Sequence, residues 1–170
     1  FEASEVIKQA VSYNQPLYIR YGKKPMMDIH PPGTEFKIGK SIVVKKGEDL
    51  TIVATGETLQ RAYLASEILK ESNIHCSIIS MHTIKPFDEK TFIEFSKNSK
   101  AILTVEEHSI FGGLGECCAS LIAQNNINVK LKILGIPDEY MINGSQADVL
   151  DHYDMSPEKI AEISKDLLNK

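Results

Sequence analysis

Leu50-Thr51-Ile52-Val53-Ala54-Thr55 forms a continuous strand-like run, breaks at Gly56-Glu57-Thr58, and leads into Leu59, Ala62, Tyr63, Ser66 and Leu69. A run of this length without polar alternation is the pattern of a strand covered on both faces of a sheet. The residues after it recur at i, i+3, i+4, i+7 and i+10, the stripe of an amphipathic helix. Strand, turn and helix make the repeating unit of a parallel α/β sheet, and the unit recurs downstream. Cys76 to Ser80 reads as a strand, followed by a helix from about Asp88 to Ser96. Ala101 to Val105 and Gly113 to Gln124 form the next strand and helix, and Val129 to Leu134 the last strand. Ser145-Gln146-Ala147-Asp148 has the form of a capping box opening a short helix. Ser156-Pro157 places a capping Ser before a first-turn Pro, and Ile160, Ile163 and Leu167 stripe the terminal helix.

Upstream, Ser41-Ile42-Val43-Val44 is a strand turned by Lys45-Lys46-Gly47-Glu48-Asp49. So tight a connection to the next strand predicts an antiparallel pair at a sheet edge. The expected fold is a three-layer α/β/α domain with a mostly parallel five-stranded sheet and one antiparallel edge strand. Its boundaries are residues 35–170. Residues 1–34 read differently. Glu2 to about Val11 suits a helix, Leu17-Tyr18-Ile19-Arg20 a short strand, and Gly22 to Gly33 has the Pro- and Gly-rich composition of a linker. That part is too short to fold alone and looks like the tail of a preceding domain. The chain opens on Phe1 rather than Met, as expected of a piece of something longer.

The 170 residues are 42% hydrophobic and 25% charged, enough for an ordinary core. A net charge of -4 gives no general attraction to nucleic acid or anionic lipid. The pairs Lys23-Lys24 and Lys45-Lys46 read as solvated loop charges. No apolar run approaches the roughly 20 residues that span a bilayer, and the N-terminus lacks the pattern of a secretory signal. Cys76, Cys117 and Cys118 have no metal spacing and are an odd number, which suits reduced thiols and a cytoplasmic location.

The strand ends carry the polar residues. His82, Glu107 and His108 follow two different strands and could approach one another at one rim. A carboxylate beside an imidazole suits general acid/base work, and two histidines with a carboxylate suit a metal. Their spacing fits no standard metal motif, and the plainer reading is a polar rim that caps helices or meets another domain. Gly112-Gly113-Leu114-Gly115 permits a tight turn before a helix whose free N–H groups could hold a phosphate, but it does not match G-x-G-x-x-G. Cys117 and Cys118 fall with Leu114, Leu121 and Ile122 on one apolar stripe, which predicts buried, inert thiols. Arg20, Lys23 and Lys24 near a Gly turn suit a sugar phosphate or carboxylate, or simply a solvated loop.

Five segments carry a family resemblance. They are Tyr18-Ile19-Arg20, Val53-Ala54-Thr55-Gly56, Met81 to Asp88 with its Thr-Ile-Lys-Pro-Phe-Asp core, Thr104 to Gly115, and Leu134-Gly135-Ile136-Pro137-Asp138. Together they resemble the C-terminal section of transketolases, including those split into two subunits. Deoxyxylulose-phosphate synthases and the β subunits of 2-oxoacid dehydrogenases are relatives with similar C-terminal domains. The resemblance implies an enzyme of carbohydrate metabolism and the pentose phosphate pathway. It would transfer a two-carbon ketol unit between sugar phosphates with thiamine diphosphate and magnesium. It also implies that both cofactors are held by domains absent from this sequence. The chain would then be inactive alone, carry no catalytic residue, and assemble with the remaining domains or an N-terminal subunit, in a homodimer. Arg20 matches a family arginine that binds substrate phosphate, and Lys23 or Lys24 lies where a second usually stands. A nucleotide- or effector-binding α/β module is the alternative of another class.

Overall fold

A computed structural model describes residues 1–23 and 25–169. Helix α1 (Glu2–Ala10) precedes a stretch without regular structure among the described residues. There follow β1 (Ile42–Lys45), β2 (Leu50–Ala54), α2 (Thr58–Glu71), β3 (Cys76–Ser80), α3 (Glu89–Asn98) and β4 (Ala101–Ser109). The chain continues through α4 (Leu114–Gln124), β5 (Lys130–Ile136), α5 (Gln146–His152) and α6 (Pro157–Asn169).

The five strands lie in the order β1-β3-β2-β4-β5. β2 pairs in parallel with β3 and β4, and β4 with β5, while β1 runs antiparallel on the outer side of β3. The antiparallel edge strand is therefore present, but its neighbour is β3 and not β2 as the tight turn suggested. The reason is competition for the centre. All five residues of β2 are buried, so both of its edges go to the parallel strands of the crossover units. The turn is drawn across to β3 instead. Gly47 N–H donates to Ser77 Oγ at 2.9 Å, and Asp49 N–H to the His75 carbonyl at 2.9 Å.

Alternation along each strand divides the core into two layers. Ile52, Ile78, Leu103 and Val105 face α2, α5 and α6. Val53, Ile79 and Ile102 face Phe92 of α3 and Leu114 and Cys118 of α4. Helix α2, which leaves β2, and helix α4, which leaves β4, thus lie on opposite faces of adjacent strands. That divergence opens a crevice at the carboxyl ends of β2 and β4, the place where open α/β sheets carry their sites.

Leu17 to Arg20 does not form the expected strand. An extended segment needs a neighbouring ladder, and none of the strands of this sheet pairs with it. The segment lies instead across the rim. Helix α1 has no fully buried residue and docks chiefly through polar side chains. Gln9 is the main clasp: its amide donates to the Phe36 carbonyl and accepts from Ile38 N–H at 3.0 Å.

Candidate functional site

Four side chains converge over the β2–β4 crevice. Arg20 Nη1 donates to the carbonyl of Glu107 at 3.1 Å, and its Nη2 lies 3.6 Å from Glu107 Oε1. Gln146, the first residue of α5, donates from Nε2 to both carboxylate oxygens of Glu107 at 3.1 and 3.0 Å. Gln146 is held in turn by the capping box that opens α5, in which Ser145 and Asp148 exchange side-chain and backbone bonds. Glu57, just after β2, completes the group. Burial pushes its carboxyl up and the Glu107 charge adds to this, against the pull of Gln146, Arg20 and the Lys23 backbone N–H. Lys23 is exposed beside it, and Lys24 lies outside the described residues. A groove of about 330 Å³ continues from Glu57 and Gln146 past Met26 and Gln60.

Glu106 points the opposite way, into the layer below α4. Its side chain is fully buried and accepts Leu114 N–H at 2.6 Å and Gly115 N–H at 2.7 Å. The carboxylate therefore fills the N-terminus of α4, the one place in this turn where free N–H groups could take a phosphate. Close approach explains two of the glycines: a Cβ on Gly113 would collide with Glu106, and one on Gly115 with Ile133 of β5. Burial pushes the Glu106 carboxyl up, and the two N–H bonds oppose it.

His82 lies beyond β3, with β2 between it and β4. Its partners are Thr83, whose Oγ1 is 2.9 Å from Nδ1, and the Phe36 ring, stacked at 4.2 Å between centroids. No hydrogen bond or ion pair among the described residues joins it to Glu107 or His108. His108 is exposed and turns its Nδ1 to the Ser109 carbonyl at 2.8 Å. Of the proposed rim group, the structure thus brings Glu107 to Arg20 and leaves the two histidines apart. Cys118 is buried as the stripe predicts, but Cys117 is only half-buried and edges an apolar groove of about 370 Å³ with Ile84, Phe87 and Gly113. Burial raises both thiols, so neither is activated.

A second polar cluster, not foreseen in the sequence, fastens α1 to the end of β3. His30 Nε2 lies 3.0 Å from Glu2 Oε1 and its Nδ1 3.1 Å from Asp28 Oδ1, while Ser80 Oγ also donates to Glu2. Burial acts against both charges, yet the mutual bonds outweigh it: His30 is raised above 6.5 and Glu2 lowered below 4.5. The His30 contribution is full below 6.5 and is lost as pH rises through the higher folded value. The Glu2 contribution is full above 4.5 and is lost as pH falls through the lower folded value. Helix α1 is therefore held best between mildly acid and neutral pH. His30→Ala is expected to speed hydrogen exchange of the α1 amides about tenfold at pH 6, from the loss of ~1.5 kcal/mol of charged hydrogen bonding, with β2 amides unmoved. Equal α1 exchange in both proteins would refute the latch.

The geometry defines a class first: a doubly wound α/β domain whose polar rim is paired within the chain and braced by its N-terminal segment. Residues 39–160 match the model of the transketolase C-terminal domain. The chain is 40% identical over 164 residues to a putative transketolase C-terminal section of Methanocaldococcus jannaschii, covering 95% of this chain and 51% of that one. It is 34% identical over 170 residues to one subunit of the apulose-4-phosphate transketolase of Phocaeicola vulgatus, covering 99% of this chain and 54% of that one. Among solved structures, a split-gene transketolase described as an inactive β4 tetramer superimposes with a TM-score of 0.89 at 27% identity. That superposition covers 97% of this chain and 54% of the other. The chain belongs to the transketolase C-terminal domain family. It spans about half the length of these two relatives.

Among the described residues, no group of three or more His, Cys, Asp or Glu side chains is placed to hold a metal ion. The α4 amides suited to a phosphate are already closed by Glu106.

Proposed function

We propose that this chain is the C-terminal, assembling part of a thiamine diphosphate-dependent transketolase, a transferase that moves a two-carbon ketol unit between sugar phosphates. Residues 1–34 are the tail of a pyrimidine-binding domain with its linker, and residues 35–170 are the C-terminal domain. Cofactor and magnesium are held by the rest of the enzyme, in an N-terminal subunit or in domains of the same polypeptide. The whole works as a dimer in the cytoplasm. Within it, Arg20 and Lys23 face the substrate phosphate across the rim. The observation that carries this reading is the likeness of nearly the whole chain to about half of a transketolase subunit. Arg20 adds to it: its side chain is 61% exposed, although Glu107 holds one side of the guanidinium. A guanidinium fork with free donors is suited to a phosphate.

The test is reconstitution. The purified chain alone is expected to transfer no ketol unit from a ketose phosphate to an aldose phosphate. Mixed with its partner subunit, thiamine diphosphate and magnesium, it should do so. Turnover by the chain alone would refute the assembling role. A silent mixture together with stoichiometric nucleotide binding by the chain would favour an effector module instead.

A further inference from the structure

Arg20 lies on a segment without regular structure, and its side chain is mostly solvent-exposed. Such an arginine samples many rotamers, and ordering it on a ligand weakens binding. Here the ordering is already done. The Glu107 backbone carbonyl accepts Nη1, and the Glu107 carboxylate stands beside Nη2. Glu107 is only 22% exposed and is braced from behind by Gln146, which α5 fixes through its capping box. A guanidinium has five N–H donors in a rigid fork, so two contacts on one side leave the others available.

We propose that Glu107, braced by Gln146, is the positioning residue for Arg20, fixing the guanidinium so that its free edge meets the phosphate of the sugar substrate. This rests on the proposed phosphate-binding role of Arg20. The local charges make orientation matter. Around Arg20 and Lys23 stand the carboxylates of Glu57 and Glu107, so a phosphate at this rim meets charges of both signs. Recognition then depends on where the donors point. Removing Glu107 relieves some repulsion of the phosphate, but that repulsion is screened at an exposed rim. The loss of orientation outweighs it.

The experiment uses the reconstituted enzyme and two donors, a ketose phosphate and an unphosphorylated ketose. The readout is the ratio of their KM values. Arg20→Ala should raise that ratio at least tenfold. Glu107→Ala should raise it about fivefold in wild type and leave it unchanged in the Arg20→Ala background. Glu107→Gln, which keeps size and an acceptor, should restore most of the difference. Gln146→Ala leaves Glu107 in place and should raise the ratio two- to threefold; it also serves if Glu107→Ala fails to assemble. If Arg20→Ala leaves the ratio unchanged, the phosphate role of Arg20 falls and this proposal with it. If Arg20→Ala raises it but the Glu107 and Gln146 variants do not, or act equally without Arg20, the positioning role alone is overturned.

Discussion

Glu106→Ala is expected to lower folding stability by about 3–5 kcal/mol, a large part of the roughly 5–15 kcal/mol that holds a domain together. The carboxylate is wholly buried and accepts two short bonds, from Leu114 N–H at 2.6 Å and Gly115 N–H at 2.7 Å. Alanine leaves both amides without a partner at a helix start that water does not reach. A buried orphaned donor costs about 1–3 kcal/mol, and here there are two. Glu106→Gln keeps one acceptor and should lose about half as much. The carboxyl is raised by burial, so its contribution is full below 4.5 and declines as pH rises through the folded value. The glutamine variant should lack that decline. Urea titrations followed by far-ultraviolet circular dichroism at several pH values decide the matter. A midpoint shift under about 0.5 kcal/mol for the alanine variant would mean that the α4 amides find other partners.

The division into strands and helices was legible because each element obeys one period. Leu50 to Ala54 lacks polar alternation, and α2 turns Leu59, Ala62, Ser66 and Leu69 to the core. What sequence could not show was the neighbour of β1. That depends on which strands win the two edges of β2, a contest among segments far apart in the chain. Leu17 to Arg20 failed for a related reason: strand propensity is not enough without a ladder to join. Cys117 is a smaller lesson. At 100° per residue it lies about 60° from Leu114 on the wheel, at the margin of the stripe, while Cys118 lies about 40° away and under the sheet.

The site divides along the same line. Glu106 could have been separated from Glu107 by alternation alone. Ile102, Thr104 and Glu106 share the face toward α4, whereas Leu103, Val105 and Glu107 share the other. A carboxylate on the α4 face, followed by a Gly-rich turn and a helix start, carries its own explanation as a cap. Arg20 and Glu107, by contrast, are 87 residues apart, and no local period connects them. The same holds for Glu2 with Ser80, 78 residues apart. The Thr-Ile-Lys-Pro-Phe-Asp segment marked the family, but its spacing gave no reason for the aspartate.

The structure supplies that reason, and with it the second large effect: Asp88→Ala should cost about 3 kcal/mol and free the edge strand β1. Asp88 is 3% exposed and stands at the start of α3. Its Oδ2 accepts Ser41 N–H at 3.0 Å, Ser41 Oγ at 3.1 Å and Thr91 Oγ1 at 2.8 Å, and Lys40 Nζ lies 3.3 Å from Oδ1. One carboxylate thus ties the entry of β1 to the helix that follows β3. Burial alone would raise its carboxyl, but these bonds outweigh it and hold it below 3.8. Its contribution is therefore full above 3.8 and is lost as pH falls through the folded value. Asp88→Asn keeps the shape and removes the charge, so it should lose about 1.5–2 kcal/mol at neutral pH. It should also approach the wild type in acid, where Asp88 itself becomes neutral. Hydrogen exchange locates the damage: amides of β1 should open well before those of β2 in both variants. Uniform opening of the whole sheet, or a neutral-pH loss that persists unchanged in acid, would show that Asp88 does not act as this charged tie.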